Sequence, residues 1–340
     1  MSLFGEPARG EPGSTDASGR LAAAHADAAR FARLIPPSVR FGTSSWAFPG
    51  WAGLVYSRSG PQGVLAREGL REYARHPLLR TVGIDRTYYA PIPLDDLRRY
   101  SDQLPDGFPC CAKAPAGVTS PVALGPRAGS RAGWNADFLN ADRFVDELLG
   151  PFALAFRGHC GPFVIEIAPL PRGLELAPRD FAERLDRFLE QLPREFEYAV
   201  ELRDPRLLTP EYGRVLSAHA VAHTFNYWSA MPMPGDQAAL VPGDSAAFTV
   251  VRLLLRPGTW YEERRDAFRP FNRITEPDER LREEVAALVS RALPHRRVYV
   301  LVNNKAEGSA PLTIRALAER VASTLGASRQ QDLVEGPRQG

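Results

Sequence analysis

The sequence predicts an α/β fold: a TIM-like (β/α)8 barrel with a closed parallel sheet, formed by a single domain with an N-terminal extension. Three observations support this prediction: eight short β-rich runs, helical patterns between them, and the chain length. The 340 residues are 44% hydrophobic and 24% charged, as in an ordinary globular protein. Strands that alternate with helices indicate a parallel sheet, and about 290 residues between the two tails suit one such barrel.

The β-rich runs begin at Val39, Arg80, Pro109, Phe163, Tyr198, Val221, Phe248 and Val298. Between them, apolar residues recur every three or four positions, and several segments open with Pro, Asp or Thr, as helices do. An open, doubly wound sheet is the alternative, but neither G-x-G-x-x-G after the first run nor G-x-x-x-x-G-K-[ST] occurs. Two long connectors, residues 117–140 and 256–276, are rich in Gly, Pro and Arg, which is typical of lids, binding loops or mobile segments.

The chain ends differ in composition from the barrel. Residues 1–20 are rich in Gly and Pro and predict a disordered tail. Residues 21–37 predict an Ala-rich helix packed on the barrel, with Leu34 and Ile35 on its apolar face and Pro36 ending it. The barrel is predicted over residues 38–327, and the polar residues 328–340 predict a frayed C-terminal tail.

Charge and cysteine content limit the classes of partner. The formal charge is +2, so no global field indicates a polyanionic partner, and nucleic acid is not favoured. Three cysteines form neither a disulfide framework nor a zinc motif, which fits the cytoplasm. The sequence has no apolar run of signal-peptide or membrane-span length, so we expect no membrane association. Nothing in the sequence indicates the oligomeric state.

Charged residues late in the strands are the main candidates for a site, because barrel enzymes work at the carboxyl ends of their strands. Strand side chains alternate between the barrel interior and the helix layer. The phase opposite to the bulky apolar residues holds Asp85, Lys113, Glu166, Glu201, Arg203 and Arg252. Since a buried unpaired charge is costly, these groups are expected to pair. They form either a structural ionic ring or, with a ligand, the floor of a pocket.

Further candidates for substrate binding lie at or beyond strand ends: Trp46, Tyr89, Asn226, Asn303, Asn304 and Lys305. Amides at such positions bind a carbonyl or hydroxyl group, or cap the strand and the next helix. Aromatic rings there close the core or stack on a planar or sugar-like ligand.

Metal and cofactor chemistry is not expected. The histidines do not converge on the inward layer, since His223 has the opposite phase to Asn226. A weak Mg²⁺ site on Asp85, Glu166 and Glu201 is conceivable, but the neighbouring Lys and Arg side chains compete for these carboxylates. We therefore predict no metal and no cofactor.

Seven segments carry a family resemblance: FGTSSWAFPGWAGLVYS, TVGIDRTYYAPIP, FPCCAKAPAGVTSP, FVIEIAPLP, YAVELRDPRLL, NYWSAMP and VYVLVNNKAEGSAP. Together, over residues 39–325, they resemble the YecE-like family, the domain of unknown function numbered 72. The resemblance implies a TIM-barrel-like fold and no particular reaction. Its matching polar positions are Gly42, Ser44, Trp46, Thr87, Tyr89, Lys113, Glu201, Arg203 and Asn303. Many members have Glu at the position of Gly83 and Gln at that of Glu166, which implies that one carboxylate has moved between strands.

Two hypotheses follow. In the first, an enzyme or ligand-binding barrel acts on a small polar or anionic molecule by acid/base chemistry. Glu201 transfers the proton, assisted by Glu166, while Lys113 and Arg203 hold the anion and Asn303 orients it. The alternative is a nucleic-acid-binding, possibly DNA-processing, barrel. In that case the basic segments GPRAGSRAGW and RPGTWYEERRDAFRPFNR contact phosphates and stack on bases.

Overall fold

The computed structural model describes residues 14–122, 133–170, 175–241 and 245–335. All eight predicted strands are present. They are β1 (Val39–Thr43), β2 (Val82–Ile84), β3 (Cys110–Ala112), β4 (Phe163–Ile167), β5 (Tyr198–Leu202), β6 (Ala222–Tyr227), β7 (Phe248–Leu253) and β8 (Arg297–Val302).

The strands follow one another around a TIM-like barrel with two seams. One six-stranded sheet has the order β1-β8-β7-β6-β5-β4, and β2 and β3 form a second, two-stranded sheet, all pairs being parallel. Isolated bridges cross the seams: one joins Phe41 to Leu79, and two join Cys110 to Cys160 and Lys113 to Val164. Because each strand neighbours the next in sequence and β1 pairs with β8, the doubly wound alternative is excluded.

Helices occupy most of the segments between the strands. They are α1 (Ser14–Ala32), α2 (Gln62–Glu68), α3 (Leu70–Tyr73), α4 (Leu94–Ser101), α5 (Ala116–Thr119), α6 (Ala141–Phe144), α7 (Gly150–Ala155), α8 (Pro178–Glu190), α9 (Pro210–His219), α10 (Pro234–Leu240), α11 (Tyr261–Phe268), α12 (Glu279–Ala292) and α13 (Ala310–Glu335). A π-helical turn, Val145–Leu149, joins α6 to α7. It ends two residues before Pro151, which has no N–H to donate to the preceding turn. None of the helices in the described ranges is long and apolar enough to cross a membrane.

The N-terminal helix α1 packs against α13 through an ion pair of 2.8 Å between Asp27 and Arg315. Arg80 donates hydrogen bonds to the carbonyl oxygens of Ala32 (2.7 Å) and Pro36 (3.0 Å), and so supplies partners at the helix C-terminus. The helix begins at Ser14, inside the predicted tail, and ends at Ala32. Leu34 is therefore beyond the helical periodicity and is 57% exposed, contrary to the predicted apolar face.

At the other end of the chain, α13 continues to Glu335 and passes through the predicted boundary at residue 327. The rest of the two predicted tails, residues 1–13 and 336–340, lies outside the described residues.

Apolar clusters lie on both faces of the sheet, one inside the barrel and one between the barrel and its helices. The barrel interior is filled by Cys111, Val164, Ala199, Ala222, Ala246, Phe248, Val250, Tyr299 and Leu301. The larger cluster lies between the barrel and its helices and includes Val200, Leu202, Val251 and Leu253. The predicted alternation is thereby confirmed. Polar residues in phase with the inner cluster reach the carboxyl end of the barrel above it.

Candidate active site

The six charged side chains that the alternation selects meet at the carboxyl end of the barrel. Glu166 and Glu201 are in register on β4 and β5. Lys113 and Arg203 follow the ends of β3 and β5, Arg252 lies near the end of β7, and Asp85 follows β2. All except Asp85 are buried. We call this group the ionic network.

Glu166 lies between the cations of the ionic network. Its Oε2 is 2.9 Å from Lys113 Nζ, pairs with Arg203 Nη2, and is 3.6 Å from Arg252 Nη1. Burial alone would raise the pKa of Glu166, but Arg203, Lys113 and Arg252 outweigh it and lower that pKa to about 2. Glu166 is therefore ionised at neutral pH.

Glu201 is fully buried, and both of its oxygens are used within the ionic network. Arg203 Nη2 is 2.7 Å from Oε1, and Arg252 Nη1 donates to Oε2. Asn226 Nδ2 donates to Oε1 at 3.3 Å and to the Leu202 carbonyl oxygen at 2.7 Å. Asn226, predicted as a ligand-binding residue, thus orients this carboxylate.

Arg252 connects the buried part of the ionic network to its surface member. Its Nη2 donates to both oxygens of Asp85, at 2.9 and 2.7 Å. Burial alone would lower the pKa of Arg252, but Asp85, Glu201 and Glu166 outweigh this effect and raise it. The Asp85 side chain is 28% exposed, so it is the carboxylate of the network that reaches solvent.

Two aromatic rings cover cations of the ionic network. Lys113 Nζ lies 3.4 Å from the ring centroid of Tyr88, and Arg203 Cζ lies 4.0 Å from that of Trp228. Both rings belong to the aromatic residues at strand ends that are expected to close the core or stack on a ligand, but neither is among the predicted site residues. The sequence feature that could have identified them is their position, because each ring follows the polar end of a strand within a few residues. The rings limit solvent access to Lys113 and Arg203, and burial lowers the pKa of Lys113.

A cleft of about 800 Å³ opens beside Asp85. Its lining includes Ser44 and Asn303, which follow β1 and β8, and Tyr89 and Lys305. The long connector after β7 supplies the opposite wall with Tyr261, Arg265, Arg269 and Phe271. We call this space the carboxyl-end cleft.

Four cations and one carboxylate, Asp85, are among the described residues that line the carboxyl-end cleft. Arg86 pairs with Asp96 and Arg265 with Asp266, each at 2.9 Å. Arg269 and Lys305 have no carboxylate within ion-pair distance in the described part of the chain. The cleft therefore presents two cations whose charge is not matched by an ion pair.

Lys305 is buried, and its Nζ lies 4.2 Å from the ring centroid of Tyr261. Burial lowers the pKa of Lys305 to about 8, although Asp85 acts in the opposite direction. At neutral pH a measurable fraction of this amine is neutral.

The connector after β7 is an ordered segment that packs closely against the loop after β1. It contains α11 and then a turn at residues 269–271, where Phe271 has a φ of 69°. A Cβ atom on Gly50 would lie 1.8 Å from the Pro270 carbonyl oxygen. Only glycine at position 50 therefore allows this turn to pack against Pro49–Trp51 and form the wall of the cleft.

The remaining predicted site residues are spread around the carboxyl end of the barrel. Trp46 is buried and donates from Nε1 to the Leu65 carbonyl oxygen at 3.0 Å. Asn304 Oδ1 accepts from Trp51 Nε1 at 3.2 Å and from the Ala310 N–H at 2.8 Å, so it links the β1 loop to α13. Asn303 lines the cleft while its Oδ1 accepts from the Lys305 N–H at 3.1 Å. Tyr89 is 84% exposed at the rim.

Of the two basic segments proposed for nucleic-acid binding, only the second lies within the described residues over its full length. Residues 125–132 of the first lie outside the described residues. In the second, Arg264 pairs with Glu276, and Arg256 is 3.7 Å from the same carboxylate. Among the described residues, no group of three or more His, Cys, Asp or Glu side chains is arranged to hold a metal ion.

The comparisons with known proteins agree with this architecture. The sequence matches the family described as "Protein of unknown function DUF72" over residues 40–335. A DUF72 family protein of Enterococcus faecalis V583 superposes with a TM-score of 0.58 at 15% identity, over 84% of this chain and 95% of the other. One from Thermotoga maritima MSB8 has a TM-score of 0.55 at 19% identity, over 85% and 99%. No curated protein matches the sequence. With a family match over most of its length and the same fold in solved relatives, the chain belongs to the DUF72 family.

Proposed function

We propose that the carboxyl-end cleft binds a small anionic molecule and that the protein is an enzyme, or a ligand-binding relative of one, that transfers protons there. The observation that carries this proposal is the pair Lys305 and Arg269, which line the cleft without a carboxylate partner among the described residues. A bound anion would complete their pairing, since a cation in a partly desolvated site favours an opposite charge.

In this proposal the ionic network supports the cleft rather than binding the anion itself. Lys113 and Arg203 already share Glu166, so they have little capacity left for a ligand. Arg252 holds Asp85 through two hydrogen bonds and fixes its position at the edge of the cleft. Asp85 is then the carboxylate that exchanges a proton with the ligand, and Glu201 and Glu166 are positioning residues.

We also propose that the protein works in the cytoplasm. Its three cysteines are free in the structure, and Cys110 and Cys111 are buried. Free thiols fit a reducing compartment.

Thermal melts in a series of sulfate and phosphate concentrations test the binding proposal. We expect the wild-type melting temperature to rise with the logarithm of anion concentration above the dissociation constant. Arg269→Gln should weaken this response, and Lys305→Gln should weaken it more because Lys305 is buried. Arg179→Gln, which changes an exposed arginine on α8, is the control and should respond like the wild type. No anion-dependent rise in the wild type would contradict the proposal.

Binding of single-stranded nucleic acid is the second candidate function. It is favoured by the exposure of Trp260 (76%) and Tyr89 (84%), because exposed rings beside cations offer stacking platforms. Oligonucleotide binding measured at several salt concentrations tests it. Saturable binding that weakens steeply with salt supports this function. Weak binding that does not saturate contradicts it and leaves small-anion binding as the proposed function.

A further inference from the structure

The chain uses lysine at only two positions. Lysine and arginine together number 42, and the lysines are Lys113 and Lys305. Both are buried, and both follow strands at the carboxyl end of the barrel. A guanidinium supplies cationic charge but stays protonated, whereas an amine loses its proton readily when buried and then becomes a nucleophile. Where a chain provides nearly all its cations as arginine, an amine at this end of the barrel indicates chemistry that a guanidinium does not perform.

The two amines have different surroundings. Lys113 pairs with Glu166 at 2.9 Å beneath the Tyr88 ring, and Glu166 opposes the lowering of the Lys113 pKa by burial. Lys305 has no carboxylate within ion-pair distance in the described ranges, packs on Tyr261, and lines the carboxyl-end cleft. Lys305 is therefore the amine that combines access to a ligand with little stabilisation of its positive charge.

We propose that Lys305 is a nucleophile that forms an imine with a small anionic aldehyde or ketone bound in the carboxyl-end cleft. This inference rests on the proposed function, because Arg269, which has no carboxylate partner among the described residues, holds the anionic group of that carbonyl compound. The lowered pKa of Lys305, about 8, supports the proposal by making neutral amine available near physiological pH.

The step is balanced without any further reactant. The neutral Nζ of Lys305 attacks the carbonyl carbon and forms a C–N bond as the C=O π bond opens, and a first proton passes from the nitrogen to the oxygen through the Asp85 carboxylate to give a neutral carbinolamine. The carboxylate of Asp85 accepts a second proton from the nitrogen and returns it to the departing hydroxyl group. Water leaves, and the product is an imine between Lys305 and the former carbonyl carbon. Asp85 suits this role because it is the exposed carboxylate of the ionic network and lines the same cleft.

Reductive trapping tests the proposal in the wild-type protein. The protein is incubated with borohydride and glycolaldehyde phosphate, or with glyoxylate as a carboxylate-bearing aldehyde, and neutral glycolaldehyde is the matched control. Peptide mass mapping then locates the label among Lys113, Lys305 and the N-terminal amine. We expect saturable labelling of Lys305 by at least one anionic aldehyde, at least about tenfold above that by glycolaldehyde and above that of Lys113. The anion that labels Lys305 more efficiently identifies the preferred class of ligand.

The variant Lys305→Arg separates this inference from the proposed function. It keeps the positive charge but forms no imine, so it should lose the label and retain anion-dependent stabilisation in thermal melts. Wild-type protein that is stabilised by anions but not labelled at Lys305, or labelled equally by anionic and neutral aldehydes, overturns the imine and leaves anion binding intact. Absence of anion stabilisation in the wild type overturns both.

Discussion

Glu201 links two buried arginines and has no exposed surface of its own. Replacing it by Gln would leave Arg252 and Arg203 with part of their charge unpaired inside the barrel. We expect Glu201→Gln to lower the free energy of unfolding by roughly 3–5 kcal/mol, the cost of breaking a buried pair. Urea denaturation measures this loss. Glu183→Gln, which removes an exposed pair with Arg179, should change it by less than about 1 kcal/mol, and an equally small effect at Glu201 would contradict the account.

Glu166 predicts a pH dependence of stability. Its pKa in the folded state, about 2, lies below its ordinary value of 4.5, so the unfolded state takes up the proton first. The resulting stabilisation is fully present above pH 4.5 and is lost as the pH falls through about 2. Unfolding free energies of the wild type and Glu166→Gln, measured at about pH 5 and about pH 3, should decrease less with acid in the variant. Equal decreases would show that Glu166 is not held ionised by its neighbours.

At the residue scale, the sequence was sufficient to find the ionic network and Lys305, but not Arg269, the other unpaired cation of the cleft. Alternation along a strand is strictly periodic, so Glu166, Glu201 and Arg252 could be placed from their neighbours alone. Arg269 lies beyond any strand, in a connector whose path depends on contacts such as that between Gly50 and Pro270. A local pattern contains no information about such contacts.

Gly83 stands where many members of the family have Glu, and the packing at this position gives a physical reason for the difference. A Cβ atom there would lie 2.9 Å from the Ser44 carbonyl oxygen, so in this chain the space is already filled by the β1 backbone. Asp85, two residues later and just beyond the end of β2, supplies a carboxylate to the ionic network instead.

At the scale of elements, the attachment of α1 depends on Arg80, whose guanidinium donates to the Ala32 and Pro36 carbonyl oxygens. Arg80→Met should remove the Arg80 donor from the Ala32 carbonyl oxygen, whereas the Pro36 carbonyl oxygen keeps the Val39 N–H, and should cost about 1–3 kcal/mol locally. We expect faster amide hydrogen exchange in α1 and unchanged exchange in β5. Arg71→Met, which removes a surface hydrogen bond to the Asp102 carbonyl oxygen, is the control. Exchange in α1 that is the same in both variants would mean that Arg80 does not hold the helix.

Strands were predicted more accurately than helices, for a structural reason. Each barrel strand is an apolar run with polar residues at its carboxyl end, and this pattern is set by burial on both sides of the sheet. Helix limits depend on local breaks instead. Gly69 separates α2 from α3, and α11 is a short helix within the connector predicted over residues 256–276. Their formation depends on packing against the barrel, which a sequence window does not contain.

At the scale of the whole molecule, the seam between β1 and β2 is a point of very close approach. A Cβ atom on Gly42 would lie 2.2 Å from the Thr81 carbonyl oxygen, and both atoms belong to backbone that has little freedom to move. Gly42→Ala should therefore lower the free energy of unfolding by about 1–3 kcal/mol, the usual cost of overpacking. Gly158→Ala, where no atom lies within 4 Å of the added Cβ, is the matched control. Equal stability of the two variants in urea denaturation would contradict this description of the seam.

The central claim is that the carboxyl-end cleft binds a small anion through Lys305. Because the chain has only two lysines, protein made with isotope-labelled lysine gives two side-chain signals by nuclear magnetic resonance, which Lys305→Arg assigns. On titration with phosphate, the account predicts that the Lys305 signal shifts and saturates, whereas the signal of Lys113, paired with Glu166, stays in place. A Lys305 signal that does not move, or two signals that drift together without saturation, would contradict it.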